Sequence, residues 1–325
     1  MIGSLILGSF LACTGEPKRA ETPEPPPQEA VPDRKDREGR QSRHEPGGGG
    51  GGGEEGGAFV PQADPCKEWE HPGTFEFPIT FAGKEEKALI HVPPGAGPRR
   101  MVFVLHGGDG NGPQMMKQTE IVPVSQREGF VVVAPTGEFN SEVGANKWNT
   151  GKREHPGRDD VGYLDALAAA VGEATCGTKV LAMGFSNGGQ MANRWLCEGT
   201  KPDAMVTAAG TLKVEPSQCK ARKSPVLAYI GTEDPVFRNP PSEGGMSASD
   251  TVAKFWAPHN GCGPETREVT RGDTTCSEYQ GCGAQTQLCV IQGFPHGFPH
   301  GRSGKKSSDT HATEEGWRWF RAVVP

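Results

Sequence analysis

The sequence predicts an α/β fold, with a mainly parallel sheet flanked by helices and preceded by a disordered linker. Over residues 61–325, apolar runs typical of strands buried on both faces alternate with segments of helical periodicity. The preceding residues are too polar to form a core. The net charge of -6 argues against nucleic-acid binding through a basic face. No apolar stretch approaches the ~20 residues that span a bilayer.

Residues 1–13 read as an export signal. Ile2–Ala12 carries no charge, and Leu11-Ala12-Cys13 resembles the site at which a bacterial lipoprotein is cleaved and lipidated, with Cys13 as the lipidated residue. Two departures are the absence of Lys or Arg before the run and Phe10 where leucine is usual. The alternative is an ordinary signal for secretion. Both kinds of signal predict an extracytoplasmic protein. In the lipoprotein case, the lipid on Cys13 is its only expected contact with a membrane.

Residues 14–60 are predicted to be a disordered linker rich in proline, glycine and charge. The segment includes Pro25-Pro26-Pro27, a mixed-charge run at 33–40 and seven consecutive glycines at 47–53. Burial of so few apolar side chains cannot offset the entropy of ordering the chain. We interpret it as a tether or as a low-complexity insert with no selected length.

Residues 61–325 have the size of one α/β catalytic domain. Thr74–Phe81 and Ala88–Val92 are predicted to open it as an antiparallel pair. The other expected strands are Met101–Leu105, Phe130–Ala134, Lys179–Gly184, Val226–Ile230 and Leu288–Ile291. The expected helices are Pro113–Arg127, Val161–Ala174, Gly189–Glu198, Ser249–Ala257 and Ala312–Val323.

Eight cysteines remain after Cys13, an even number that favours disulfides in an exported chain. Eight cysteines allow 105 pairings, so the sequence does not decide among them. Cys276 and Cys289 flank Gly281-Cys282-Gly283 almost symmetrically, which favours a cross-strand pair. The remaining expected pairs are Cys262–Cys282, Cys197–Cys219 and, by elimination, Cys66–Cys176.

A GxSxG motif, Gly184-Phe185-Ser186-Asn187-Gly188, lies between a predicted strand and a predicted helix. In this setting the turn is so tight that small residues must flank it, and the serine hydroxyl is exposed at the top of the sheet. Ser186 is therefore the candidate nucleophile. The backbone N–H of Asn187, at the start of the helix, is a candidate donor to an oxyanion.

His106-Gly107-Gly108 follows the strand Met101–Leu105, in the position where α/β-hydrolases supply the second oxyanion donor. Gly108 is the expected donor, and His106 is expected to hold the loop by hydrogen bonds. The candidate acid is Asp234, just beyond the strand Val226–Ile230, with Glu233 as the alternative. Asp160, before Val161–Ala174, is expected to cap that helix.

The candidate base comes from the repeated Phe-Pro-His-Gly after the strand Leu288–Ile291. His296 is favoured because it is closer to the end of the strand, and His300 is the alternative. The order Ser186, Asp234, His296 along the chain is the order that this fold uses for a catalytic triad.

Several of these segments resemble the polyhydroxybutyrate depolymerase-type esterase family, which also includes feruloyl and acetylxylan esterases. The resemblance covers about Phe75 to Val324. It rests on LHGG at 105–108, DDVGYLDAL at 159–167, GFSNGG at 184–189, GTEDPV at 231–236, NGC at 260–262, HGFP at 296–299 and GWRWF at 316–320.

This resemblance implies an α/β-hydrolase with Ser186, Asp234 and His296 as its triad and with no metal or organic cofactor. The expected partner is an ester substrate, a polyester oligomer or a polysaccharide ester, and the protein is expected to be a monomer. The family commonly has cysteine at the position of Gly108, and glycines and a tryptophan where this chain has Phe294, Pro295 and Phe298. These departures leave the substrate open. A surface-binding module without catalysis is the alternative from another class.

Overall fold

The structure is a computed structural model that describes residues 56–151, 157–220, 222–236, 246–300 and 308–325. These residues belong to one compact unit, Gly53–Pro325. The predictions for 1–13, including Cys13, and for the linker up to residue 55 lie outside the described residues. Within the described ranges no helix is long and apolar enough to cross a membrane.

Eleven strands of the described chain form one sheet. They are β1 Gly57–Ala58, β2 Gly73–Phe81, β3 Lys84–Val92, β4 Arg99–Leu105, β5 Val131–Pro135, β8 Gly177–Phe185, β9 Ala204–Ala208, β10 Val226–Gly231, β11 Thr266–Arg271, β12 Thr274–Tyr279 and β13 Thr286–Ile291. Their order across the sheet is β1-β2-β3-β5-β4-β8-β9-β10-β13-β12-β11. Glu138–Asn140 and Ala145–Lys147 form a separate hairpin, β6–β7.

The centre of the sheet is parallel, from β5 through β4, β8, β9 and β10 to β13. The neighbouring pairs β3–β5 and β13–β12 are antiparallel. The predicted α/β class with a mainly parallel sheet is confirmed. Because the central strands are parallel, the loops at their carboxyl ends converge on one edge of the sheet.

Helices cover both faces of the sheet. They are α1 Gly112–Gln118, α2 Ile121–Glu128, α3 Asp160–Thr175, α4 Asn187–Glu198, α5 Ala248–Asp250, α6 Ala257–His259 and α7 Ala312–Val323, with a π-helical segment Thr251–Trp256 between α5 and α6. One apolar cluster joins the sheet to α3, α4 and the π-helical segment. A second joins the other face to α1, α2 and α7.

Strand β4 shows how the sequence builds both clusters. Phe103 and Leu105 belong to one cluster, whereas Val102 and Val104 belong to the other. Successive side chains of a strand point to opposite faces, so a continuous apolar run is the pattern that a strand covered on both faces requires.

The expected helix Pro113–Arg127 is wrong in one respect, because the chain forms two helices there. Glu120, between α1 and α2, has φ +50°. A left-handed residue cannot continue a right-handed helix. The break therefore divides the segment into two helices, and both pack against the same face of the sheet.

The expected end of the linker at residue 60 is also too late. Gly57–Ala58 pairs in parallel with β2. The Phe59 ring stacks on Trp69 with centroids 5.8 Å apart and also contacts Phe75 and Phe77. This aromatic packing supplies burial that the preceding glycine-rich segment cannot, so the fold begins before residue 61.

The structure contains four disulfides, and their pairing is the one favoured above: Cys66–Cys176, Cys197–Cys219, Cys262–Cys282 and Cys276–Cys289. Cys276 and Cys289 are direct partners in the β12–β13 ladder. Four disulfides indicate a protein that folds in an oxidising compartment.

Candidate active site

Ser186 lies in a sharp turn between β8 and α4 with φ 52° and ψ -117°. This backbone conformation is unfavourable for a residue with a side chain. The turn is held by the Ser186 N–H, which donates to the Ala208 carbonyl at 2.9 Å. The hydroxyl is thereby placed at the carboxyl edge of the sheet and at the N-terminus of α4.

The two glycines of the motif are required by close backbone contacts. A Cβ at position 184 would lie 2.2 Å from the Gly188 carbonyl oxygen. One at position 188 would lie 2.0 Å from the carbonyl oxygen of Leu105. Both distances are far below van der Waals contact, so β8, α4 and the end of β4 can approach this closely only with glycine there.

Ser186, His296 and Asp234 form one chain of hydrogen bonds. The His296 ring lies with Nε2 2.9 Å from Ser186 Oγ and Nδ1 2.7 Å from Asp234 Oδ2. Asp234 is buried, and its Oδ1 accepts from the backbone N–H of Val236 at 3.0 Å. A buried carboxylate at Nδ1 requires a proton there, which leaves Nε2 as the acceptor for the serine proton.

The three residues come from the ends of three parallel strands, β8, β10 and β13. The loop that carries His296 is fixed by the buried rings of Phe294 and Phe298. A Cβ at Gly231 would lie 1.8 Å from the Phe294 carbonyl oxygen, so the β10 and β13 ends are in direct backbone contact. This contact sets the spacing between Asp234 and His296.

The two alternatives that the sequence left open lie elsewhere. His300 forms an antiparallel backbone bridge with His311, at the start of α7. Glu233 is exposed to solvent, whereas its neighbour Asp234 is buried. The hydrogen bonds to Ser186 and to Asp234 come from His296.

The loop after β4 lies directly beside the serine. A Cβ at Gly107 would lie 3.1 Å from the Phe185 ring and 3.5 Å from the Ser186 Cβ. At Gly108, by contrast, a Cβ would meet no atom within 4 Å, so that residue faces open space. Asn187 is the first residue of α4, and a helix leaves its first N–H groups without an intrahelical acceptor.

His106 holds this loop as a neutral ring. Its Nε2 accepts from the Gly137 N–H at 2.9 Å, and its Nδ1 lies 2.6 Å from the Gly107 carbonyl oxygen, to which it donates. Burial lowers the pKa of His106, which favours this uncharged form. Its arrangement agrees with the expected role in holding the loop.

The expected capping role of Asp160 is wrong. Asp159 caps α3, accepting from the Gly162 N–H at 3.1 Å. Asp160 is buried and pairs with Arg158, with Oδ1 2.7 Å from Nε. Burial raises the pKa of the Asp160 carboxyl against the opposing effect of Arg158. Two adjacent aspartates before a helix give no signal for which one caps and which turns inward.

A cleft of about 290 Å³ lies between the β6–β7 hairpin and the start of α3. Its wall includes Trp148, Asn149, Lys147 and Glu138, and Phe139 is 63% exposed. The cleft's lining does not include Ser186, Asp234 or His296, and its link to the serine turn is Trp148, whose N–H donates to Asn187 Oδ1. The hairpin was not predicted from the sequence, because its two strands have only three residues each.

The sequence profile of the dienelactone hydrolase family matches residues 87–251, half of the chain. A comparison with curated proteins finds no match. The narrower resemblance to polyhydroxybutyrate depolymerase-type esterases therefore stays a prediction.

Two solved structures illustrate the similarity of fold. Acetyl xylan esterase from Aspergillus awamori matches with a TM-score of 0.57 at 15% identity, covering 76% of this chain and 98% of that chain. An S-formylglutathione hydrolase from Agrobacterium tumefaciens matches with a TM-score of 0.52 at 14% identity, covering 80% and 99%. At these identities the similarity shows a shared fold.

Proposed function

Because this chain belongs to the dienelactone hydrolase family, we propose that it is an extracytoplasmic serine esterase that cleaves carboxylic esters through an acyl-enzyme. The observation that carries the proposal is the chain of hydrogen bonds from Asp234 through His296 to Ser186. It lies where the ends of three parallel strands meet, as catalytic groups of open α/β sheets do.

In this mechanism the Ser186 Oγ attacks the ester carbonyl carbon while its proton passes to His296 Nε2. The carbonyl electron pair moves onto oxygen, and the N–H groups of Gly108 and Asn187 donate to that oxyanion. When the intermediate collapses, the alcohol leaves with the proton from His296. Water then repeats the sequence on the acyl-enzyme and releases the acid. Asp234 accepts from Nδ1–H throughout and stabilises the imidazolium.

Two different observations support two candidate substrate classes. The sequence motifs favour a hydroxybutyrate polyester. The cleft beside Trp148 has a mixed polar and apolar wall with an exposed aromatic ring, Phe139, and this favours the second candidate, a feruloylated or acetylated polysaccharide, because sugars bind through polar groups and aromatic faces. Product release from hydroxybutyrate oligomers, methyl ferulate and acetylated xylan, measured side by side, distinguishes the two.

The cysteines bear on where the protein acts relative to the cell. Four disulfides support export. Cys13 is the proposed lipid attachment site, with an unlipidated secreted form as the alternative. The electrophoretic mobility and detergent partition of a Cys13→Ala variant test this point.

The function is tested by hydrolysis of p-nitrophenyl acetate and butyrate. We expect Ser186→Ala to lose roughly 10⁴- to 10⁶-fold in kcat, because the nucleophile is removed. Ser277→Ala, on β12 and away from the site, is the matched control and should keep full activity. Fluorophosphonate labelling separates an esterase from a binding module, since labelling requires an activated serine. Full activity of Ser186→Ala would exclude this assignment.

A further inference from the structure

The two proposed oxyanion donors belong to segments far apart in the chain, the loop after β4 and the start of α4. One residue between them, Trp148, is hydrogen-bonded to both, to one through its backbone and to the other through its ring. We propose that Trp148 is a positioning residue that holds both donor-bearing segments at once, an inference that rests on the proposed serine esterase function. Trp148 follows the β6–β7 hairpin and is buried.

Trp148 holds the α4 segment through its backbone. Its N–H donates to Asn187 Oδ1 at 2.8 Å, and its carbonyl oxygen accepts from Asn187 Nδ2 at 3.4 Å. The Asn187 side chain is thus bonded at both its ends to one residue. Because it is fixed in this way, the N–H of the same residue has little freedom to tilt at the first position of α4.

Trp148 holds the β4 segment through its ring. The indole Nε1–H donates to the His106 carbonyl oxygen at 3.0 Å, and the two rings lie with centroids 5.0 Å apart. The peptide unit that accepts this bond leads directly into Gly107 and Gly108. The His106 ring is itself held at both nitrogens, so the loop is fixed from two directions.

Trp148 is anchored independently of the catalytic residues. The N–H of the next residue, Asn149, donates to the buried Asp160 at 2.7 Å. Arg194 on α4 donates to both the carbonyl oxygen of Asn149, at 2.7 Å, and its Oδ1, at 2.9 Å. Asp160 is paired with Arg158, whose guanidinium lies 3.8 Å from the Tyr163 ring centre. The position of Trp148 is therefore set by α3 and α4.

This arrangement matters because an oxyanion hole acts only when its donors point to where the charge develops. Donors work at about 2.7–3.1 Å from the developing oxyanion, and loss of one donor costs about 10²–10³ in kcat. A displaced donor costs less than a missing one. We therefore expect a loss of about tenfold when one of the two contacts of Trp148 is removed.

The test compares Trp148→Phe with Trp317→Phe in the full-length enzyme, using p-nitrophenyl acetate. Trp148→Phe keeps an aromatic ring but removes the donor to His106. It should lower kcat about tenfold while KM stays within twofold, and the affinity for a trifluoromethyl ketone inhibitor should fall by the same factor. Trp317 is also buried, and its indole donates to Glu128 at 3.1 Å, away from the site. Its variant should lose stability without losing kcat.

Asn187→Ala is a second test of the same inference, for the case that Trp148→Phe does not fold. It removes the amide that meets Trp148 and keeps the backbone N–H, and the same fall in kcat and in inhibitor affinity is expected. Unchanged kcat in either folded variant would overturn the inference, as would an equal loss in Trp317→Phe. An inactive wild-type enzyme would overturn the proposed function as well, whereas active wild type with unchanged variants would overturn the inference alone.

Discussion

The backbone of Ser186 shows how a functional requirement opposes a local preference. Its φ of 52° and ψ of -117° lie in a region that glycine occupies readily and other residues avoid. The packing of Gly184 and Gly188 around the turn imposes this conformation. The neighbours of Ser186 therefore hold its backbone in a conformation that a serine would not otherwise adopt.

The strain at Ser186 predicts that removing the Cβ will stabilise the protein. We expect the free energy of unfolding of Ser186→Gly to be about 1 kcal/mol higher than that of Ser186→Ala. The free energy gained by relieving the backbone strain exceeds the cost of the extra entropy that glycine gives the unfolded chain. Both variants are inactive under the proposed mechanism, so only stability differs between them. Urea denaturation measures the difference, and a less stable Ser186→Gly would contradict it.

The candidate site could be predicted where a residue follows directly from a strand. Ser186, Asp234 and His296 each come just beyond an apolar run, and the structure brings all three together. Asp160 and Trp148 could not be found in this way. Their positions depend on contacts between the hairpin, α3 and α4, and no local pattern reports such contacts. The catalytic roles themselves stay predictions until the variants are measured.

The strands that were predicted best are those built from long apolar runs. Strands β5 and β10 were expected to within one residue at each end, and β4 was expected except for its first two residues, Arg99 and Arg100. Strand β11 is mostly exposed, and β12 is half-buried over most of its length, so neither shows a continuous apolar run. Strand β9, Ala204–Ala208, was missed although it is buried throughout, because its five residues are mostly small.

Strand β3 carries a histidine into the interior, and this predicts loss of stability in acid. His91 is buried, with Nδ1 2.9 Å from Thr74 Oγ1, and burial lowers its pKa from 6.5 to about 4. Between these values the unfolded chain binds a proton that the folded protein does not. Stability should therefore fall as the pH drops from about 6.5 to about 4, by up to about 3 kcal/mol.

The measurement is the free energy of unfolding against pH for wild type and His91→Leu. The variant should lose much of the slope between pH 4 and 6.5, although the lost contact with Thr74 lowers its stability at every pH. His71→Gln, at an exposed position, is the control and should follow wild type. A His91→Leu curve parallel to that of wild type would show that another group causes the acid sensitivity.

At the scale of the whole molecule, the Cys66–Cys176 disulfide constrains the most chain. It closes a sequence separation of 110 residues, whereas Cys262–Cys282 closes 20. In the chain-entropy description, the longer loop gives more stabilisation, by about 1.5 kcal/mol. We expect Cys66→Ala/Cys176→Ala to lose more stability than Cys262→Ala/Cys282→Ala by about this amount. Equal losses in urea denaturation would show that local contacts outweigh loop length.

The two disulfides between residues 262 and 289 have a consequence for biosynthesis. Cys262, Cys276, Cys282 and Cys289 follow one another along the chain, but the bonds Cys262–Cys282 and Cys276–Cys289 cross. Oxidation in the order of emergence would join each cysteine to its nearest neighbour and produce two wrong bonds. Correcting them requires exchange between a free thiolate and a formed disulfide. The yield of native enzyme in a host should therefore depend on its disulfide isomerase more than on its oxidant.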